Sequence, residues 1–181
     1  MKVVFDFDGV VCKSQEVMMR LLSERTGEHY TIDDWYTYDY KESFPDCYGI
    51  LGEIFKEDIY GNEDCLANEG VVELIHLIEK SGHYVEIVSA CANSEVAQSN
   101  KRWLVRNGLG NTKFIPVYNG NKDNVECDVM IEDCMSNIEN SIAENKIIIS
   151  KPWNMFIEVE GVYRAHDMSG VGIILKDLCQ L

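Results

Sequence analysis

Two periodicities divide the chain. Val3-Val4-Phe5 is a short apolar run closed by Asp6-Phe7-Asp8-Gly9, which predicts a fully buried strand and a turn. Similar runs return at Tyr84-Val85-Glu86-Ile87-Val88, at Lys113 to Tyr118, at Asp128-Val129-Met130-Ile131 and at Ile147-Ile148-Ile149, with a short edge element over Tyr163 to His166. Between them the spacing lengthens to that of helix. Val17, Met18, Leu21 and Leu22 form a pattern that stops near Gly27, and Val71, Leu74, Ile75 and Ile78 form another, closed by Gly82. Asn93 or Ser94 caps a helix reaching about Asn107. Ser136-x-x-Glu139 reads as a capping box, and Val171 to Leu178 as a last helix capped by Ser169. Strands alternating with helices predict an α/β fold with a doubly wound parallel sheet.

One stretch departs from the alternation. Residues 13–66 carry no strand signal but are helical and aromatic, with Trp35, Tyr36, Tyr38, Tyr40, Phe44, Tyr48, Phe55 and Tyr60. Thr31-Ile32-Asp33-Asp34 predicts an N-cap with acids in the first turn. The expected organisation is an α/β core of residues 1–12 and 67–181, with a helical module of residues 13–66 inserted after the first strand.

Composition narrows the function classes. The 181 residues are 46% hydrophobic and 26% charged, with 31 acidic side chains against 16 basic and a net charge of −15. Such a surface repels polynucleotides, so a nucleic-acid polymer is not an expected partner. The seven cysteines form no Cys-x-x-Cys pair, which predicts reduced thiols rather than zinc or disulfides. The N-terminus enters a strand at once, and no apolar run approaches the roughly 20 residues of a membrane span. The expected location is cytoplasmic, away from membranes.

The candidate chemistry gathers at strand ends. Asp6 and Asp8 lean the same way at the carboxyl end of the first strand, the edge where open α/β sheets place their sites. Two converging carboxylates call for a cation between them. Glu132-Asp133 ends another buried strand, and with Asp6 it offers an all-oxygen site suited to Mg²⁺. Ser89-Ala90 ends the second strand with a hydroxyl and backbone N–H groups suited to phosphate oxygens. Lys122, ten residues before Glu132 in a loop, is favoured over Lys101 and Lys113 to neutralise nucleophile and substrate. Taken singly, each feature is also ordinary turn or surface chemistry. Jointly, they assemble a nucleophile, an acid, a cation site and phosphate donors.

Asp6-Phe7-Asp8-Gly9-Val10 resembles the opening signature of the haloacid dehalogenase-like phosphatases. Within them the chain is similar to the 5′(3′)-deoxyribonucleotidases of the cytosolic type C and mitochondrial kind. The likeness rests on Ser89-Ala90 followed by Lys101-Arg102-Trp103, on Lys122 ten residues before the acidic pair, on Asp128 to Asp133 and on Lys151-Pro152-Trp153-Asn154. It implies that Asp6 is the nucleophile, forming an aspartyl-phosphate, and that Asp8 is the acid/base. It also implies that Gly9, Ser89, Ala90 and Lys122 contact phosphate, and that Mg²⁺ is held by Asp6, Asp8, Asp133 and Glu132. Residues 13–66 then match a small cap closing over the substrate, with Trp35, Phe44 and Phe55 as base-contact candidates. The chain departs from the family where Glu132 replaces an aspartate, Cys134 an arginine, and Asn119-Gly120-Asn121 a basic residue before Lys122.

The expected function is Mg²⁺-dependent hydrolysis of a small phosphomonoester, a nucleoside monophosphate first. The alternatives are another small phosphomonoester such as a sugar phosphate, or a non-catalytic nucleotide-binding protein of the same fold. A homodimer is compatible with the chain.

Overall fold

The computed structural model describes residues 1–118, 122 and 124–179. One six-stranded sheet runs β3-β2-β1-β4-β5-β6, from β1 (Lys2–Asp6), β2 (Tyr84–Ala90), β3 (Lys113–Val117), β4 (Val129–Glu132), β5 (Asn145–Ile149) and β6 (Val162–Ala165). All five pairings are parallel. The chain leaves β1 toward β2 and β3, then returns to its other side through β4, β5 and β6. The strand order therefore reverses at β1, and the crevice at its carboxyl end is where such sheets bind ligands.

Alternation along the strands separates two buried faces. Val3, Phe5, Ile87, Ile131 and Ile147 pack with Leu74, Ile75, Trp103 and Val171, while Val4, Val88, Met130 and Ile148 pack with Ile138 and Ala143. The covering helices are α4 (Val71–Lys80), α5 (Ser94–Arg106), α6 (Met135–Asn140) and α7 (Met168–Cys179). The doubly wound α/β expectation holds. No described helix is long and apolar enough to cross a membrane.

Two predicted caps belong to other residues. Ser136 lies inside α6, whose N-cap is Cys134. The Glu132 carboxylate accepts from the N–H groups of Asp133 and Cys134, both at 3.1 Å, and the helix starts two residues earlier than the capping-box pattern implies. Ser169 lies inside α7, where Asp167 accepts from the Gly170 N–H at 2.8 Å. Asn93, by contrast, caps α5 by accepting from Val96 N–H. At α7 a neighbouring carboxylate takes a first-turn amide in place of the hydroxyl, whereas at α6 Glu132 holds the two amides leading into the helix and no side chain caps its first turn.

Between β1 and α4 lie α1 (Ser14–Thr26), a 3₁₀ turn at Ile32–Asp34, α2 (Tyr40–Ser43), α3 (Tyr48–Ile54) and a second 3₁₀ turn at Ile59–Gly61. Thr31 caps the first 3₁₀ turn with a full capping box. The two ends of this segment meet where Cys12 bridges Ala67. Helix α5 grips its far end: the Trp103 indole N–H donates to the Cys65 carbonyl at 2.6 Å, and the Arg106 guanidinium donates to the Tyr60 and Asn62 carbonyls. Trp103 also packs edge-on to Phe7, with ring centroids 5.2 Å apart. The basic-x-Trp stretch thus ties the helical segment to the sheet.

Candidate active site

Asp6 ends β1 and is buried at the strand-order reversal. Lys122 reaches it from the loop before β4: its ammonium donates to Asp6 Oδ1 and, at 2.8 Å, to Glu132 Oε1. Burial works against the Lys122 charge, but Asp6 and Glu132 outweigh it and raise its pKa, so it stays protonated through the neutral range. Burial, Glu132 and the other carboxylates raise Asp6, with Lys122 opposing them. Burial and Glu132 likewise raise Asp133. The site carries more negative charge than one ammonium relieves.

Glu132 and Asp133 have different duties. Glu132 is fully buried and spends both oxygens on the protein: Oε1 accepts from Lys122 and from Asn137 Nδ2 at 2.7 Å, and Oε2 from two backbone amides. Asp133 Oδ2 is buried with no hydrogen-bond partner among the described residues. Asp6, Glu132 and Asp133 each offer an oxygen within 4.8 Å of the others. A hard divalent cation fits this donor set, and the orphaned Asp133 oxygen has the free valence for one.

The loop carrying Asp133 is held from behind. The Trp153 indole N–H and Asn154 Nδ2 both donate to the Asp133 carbonyl, at 3.0 and 2.7 Å. The Pro152-Trp153-Asn154 run, unexplained by catalysis in the sequence, is a brace for the acidic pair. Gly9 packs in front: at φ +77°, an added Cβ would lie 2.0 Å from Asp133 Oδ2. Its N–H is spent on the Cys12 carbonyl at 2.9 Å, so what the position visibly supplies is room for Asp133 rather than a free donor.

Asp8 is gripped from both sides. Its Oδ1 accepts from Ser14 Oγ at 2.6 Å and Tyr60 OH at 2.8 Å, its Oδ2 from Ser89 Oγ at 3.3 Å. Ser89 is fully buried and accepts in turn from Asn100 Nδ2 at 3.0 Å. Ser14, Tyr60 and Asn100 were not singled out from the sequence. Asn100 did leave a signal: it is a polar residue on the Ala97–Leu104 face of α5, where burial demands a partner.

Two cavities meet at Asp8. One, of about 250 Å³, is lined by Asp6, Asp8, Tyr38, Ala90, Lys122 and Ser136 among others. The second, of about 510 Å³, is walled by Met18, Trp35, Tyr40, Phe55, Tyr60 and Trp153 among others. Ala90 and Tyr38 border both. Tyr38 was not foreseen as a site residue. The residue is 57% exposed, yet it lines the smaller cavity with Asp6, Asp8 and Lys122, and burial, Cys134 and Asp133 raise its pKa. Of the aromatic candidates, Trp35 and Phe55 line the larger cavity. Phe44 does not: it is buried between Trp35 and Tyr30, a core residue of the helical segment. The Asn119-Gly120-Asn121 departure lies outside the described residues.

The sequence matches the family described as 5′ nucleotidase, deoxy (Pyrimidine), cytosolic type C protein over residues 1–177. No curated protein matches it. Similar solved structures include a haloacid dehalogenase (HAD) family hydrolase from Deinococcus radiodurans R1 with bound phosphate and sodium, at TM-score 0.69 and 15% identity, covering 99% of this chain and 96% of that one. A phosphoserine phosphohydrolase-like protein from Francisella tularensis is similar at TM-score 0.60 and 16% identity, covering 97% and 100%. A Rhodobacter sphaeroides protein in complex with xylulose-(1,5)bisphosphate is similar at TM-score 0.61 and 11% identity, covering 94% and 96%.

Proposed function

We propose that this chain, which belongs to the family of 5′ nucleotidase, deoxy (pyrimidine), cytosolic type C proteins and is therefore a phosphomonoester hydrolase, acts on deoxynucleoside monophosphates through Asp6. One observation carries the reading: Asp6, paired with Lys122, shares a small polar cavity with Asp8, which also borders a larger aromatic one. The polar cavity suits a phosphoryl group and the aromatic one a nucleoside.

In this reading Asp6 attacks phosphorus, and the bond to the leaving oxygen breaks as an aspartyl-phosphate forms. Asp8 delivers a proton to the leaving alcohol, then takes one from the water that cleaves the acyl-phosphate. The hydrogen bonds from Ser14 and Tyr60 fix the Asp8 carboxyl for both transfers. Lys122 offsets the charge of Asp6 and of the incoming phosphate, and Glu132 and Asn137 position Lys122 from behind. Asp6, Asp133 and the Asp8 carbonyl would hold Mg²⁺, with Glu132 behind them. When bound, the ion supplies charge neutralisation to the phosphoryl oxygens. Residues 13–66 act as a cap, its aromatics excluding water and stacking on the base.

Specificity tests the nucleotide part of the reading. Stacking on an aromatic is worth about 1–3 kcal/mol per base. Deoxynucleoside monophosphates should therefore exceed deoxyribose phosphate in kcat/KM by at least about tenfold. Truncating Trp35 or Phe55 to alanine should erase that margin for at least one of them, while p-nitrophenyl phosphate turnover persists. Equal efficiency on the base-free sugar phosphate would sink the nucleotidase reading and leave the phosphatase.

The electrostatics predict a metal- and pH-dependent stability. Asp6 and Asp133 have raised pKa values in the fold, so the folded state binds protons more tightly than the unfolded chain. Their contribution is then a stability lost as pH rises from the ordinary carboxylate range through the folded values. In chelator the protein should melt higher near pH 5 than near pH 8. A divalent cation at about 100 times its Kd adds about 2.7 kcal/mol, or about 5–11 °C in Tm, and should do so chiefly at the higher pH. Melting curves with Mg²⁺ and with EDTA at the two pH values decide it; Tm values indifferent to both would remove the cation from this cluster.

A further inference from the structure

The larger cavity has an uneven charge inventory. Besides Asp8, the residues that line it include the exposed acids Asp39 and Glu57, and no lysine, arginine or histidine stands among the described residues that line it. Glu57 is offset by an ion pair with Arg25. Asp39 has no cationic partner among the described residues; it is fixed as the N-cap of α2, accepting from the Lys41 N–H at 2.9 Å. Lys122 lies in the neighbouring cavity and is committed to Asp6 and Glu132. The rest of the wall is largely aromatic and aliphatic.

An anionic group entering such a space gives up hydration against apolar walls, finds no lining cation and meets a net negative charge. Desolvation and like-charge repulsion add rather than cancel. The one phosphate that the site is built to accept goes to the smaller cavity, beside Lys122. A second anion on the leaving group has nowhere to go.

We propose that the larger cavity is a charge filter, admitting monophosphates whose leaving group is neutral or carries an amine and rejecting those with a second phosphate or a carboxylate, with Asp39 as the excluding residue. This rests on the phosphatase reading above and narrows its substrate class. The fold itself imposes no such limit, since the similar Rhodobacter sphaeroides protein holds a bisphosphate.

A matched pair of aryl esters isolates the charge. Phenyl phosphate and 4-carboxyphenyl phosphate differ in one carboxylate, and the intrinsic reactivity of their leaving groups slightly favours the second. The wild-type protein should nonetheless prefer phenyl phosphate in kcat/KM by at least about fivefold, the size of a ~1 kcal/mol penalty. Asp39→Asn keeps a helix-capping side chain while removing the charge, and should close a measurable part of that gap. The same variant should improve a deoxynucleoside 3′,5′-bisphosphate relative to its 5′-monophosphate. A smaller wild-type preference, or a gap unchanged by Asp39→Asn, overturns the filter while the phosphatase reading stands. Failure of the folded protein to hydrolyse either ester in Mg²⁺ overturns both.

Discussion

Asp6→Asn loses turnover by on the order of 10⁴-fold or more while keeping its fold. The amide cannot attack phosphorus, and no neighbouring group replaces it: Asp8 is held by three hydroxyls and Glu132 by four donors. The amide oxygen can still accept from Lys122 and from the Phe7 N–H, both of which bond Oδ1 in the wild type. Removing a carboxylate that shares its buried cluster with Glu132, Asp133 and Asp8 also relieves like-charge repulsion. In chelator the variant should therefore melt at or above the wild-type temperature. Phosphate release and a melting curve test the two halves separately; activity within about tenfold of wild type would rule Asp6 out as the nucleophile.

Glu132→Ala produces the opposite pattern, a large loss of stability. Its side chain takes four hydrogen bonds in a fully buried position, one of them from a buried ammonium. Truncation leaves Lys122 short of a counter-charge and two backbone amides unpaired, a loss of about 3–5 kcal/mol. In a domain of this size that lowers Tm by roughly 6–20 °C. Asp133→Asn, which alters an oxygen with no protein partner, should lose activity without losing stability. A Glu132→Ala variant melting within about two degrees of wild type would mean that these hydrogen bonds add nothing net. Adjacent acids in the sequence are thus predicted to fail in different currencies, one in rate and one in folding.

The sheet was legible because buried strands announce themselves. Val3 to Phe5, Val85 to Val88 and Val129 to Ile131 lie where the apolar runs place them, and with them the strand ends carrying Asp6, Ser89 and Glu132. The caps at Ser136 and Ser169 failed for a local reason: each helix begins before the serine, at Met135 and at Met168, with Asp167 as the competing cap of the second. The rest of what resisted reading was set by long-range hydrogen bonding and packing. Tyr60 meets Asp8 across 52 residues and Asn100 meets Ser89 across 11, pairings that no local spacing encodes. Phe44 and Phe55 are indistinguishable as aromatics in a helical stretch, and only packing puts one in the core and the other on a cavity wall. Glu132 was visible as a substitution of one acid for another; its complete satisfaction by Lys122, Asn137 and two amides was not.

Asn154 shows a different kind of specification. Its amide nitrogen donates to the carbonyls of Asp133 and Ile149, while its oxygen accepts from the Lys151 N–H and from Arg164. One side chain therefore joins the ends of β4 and β5 to an arginine on β6, with every hydrogen and lone pair assigned. Aspartate would fill the same volume and keep the same outline, yet turn an acceptor oxygen toward two carbonyls. Leucine would match its bulk and answer none of the four. The position is selected by proton count, so a library judged on size and shape alone would accept residues there that the chain cannot use.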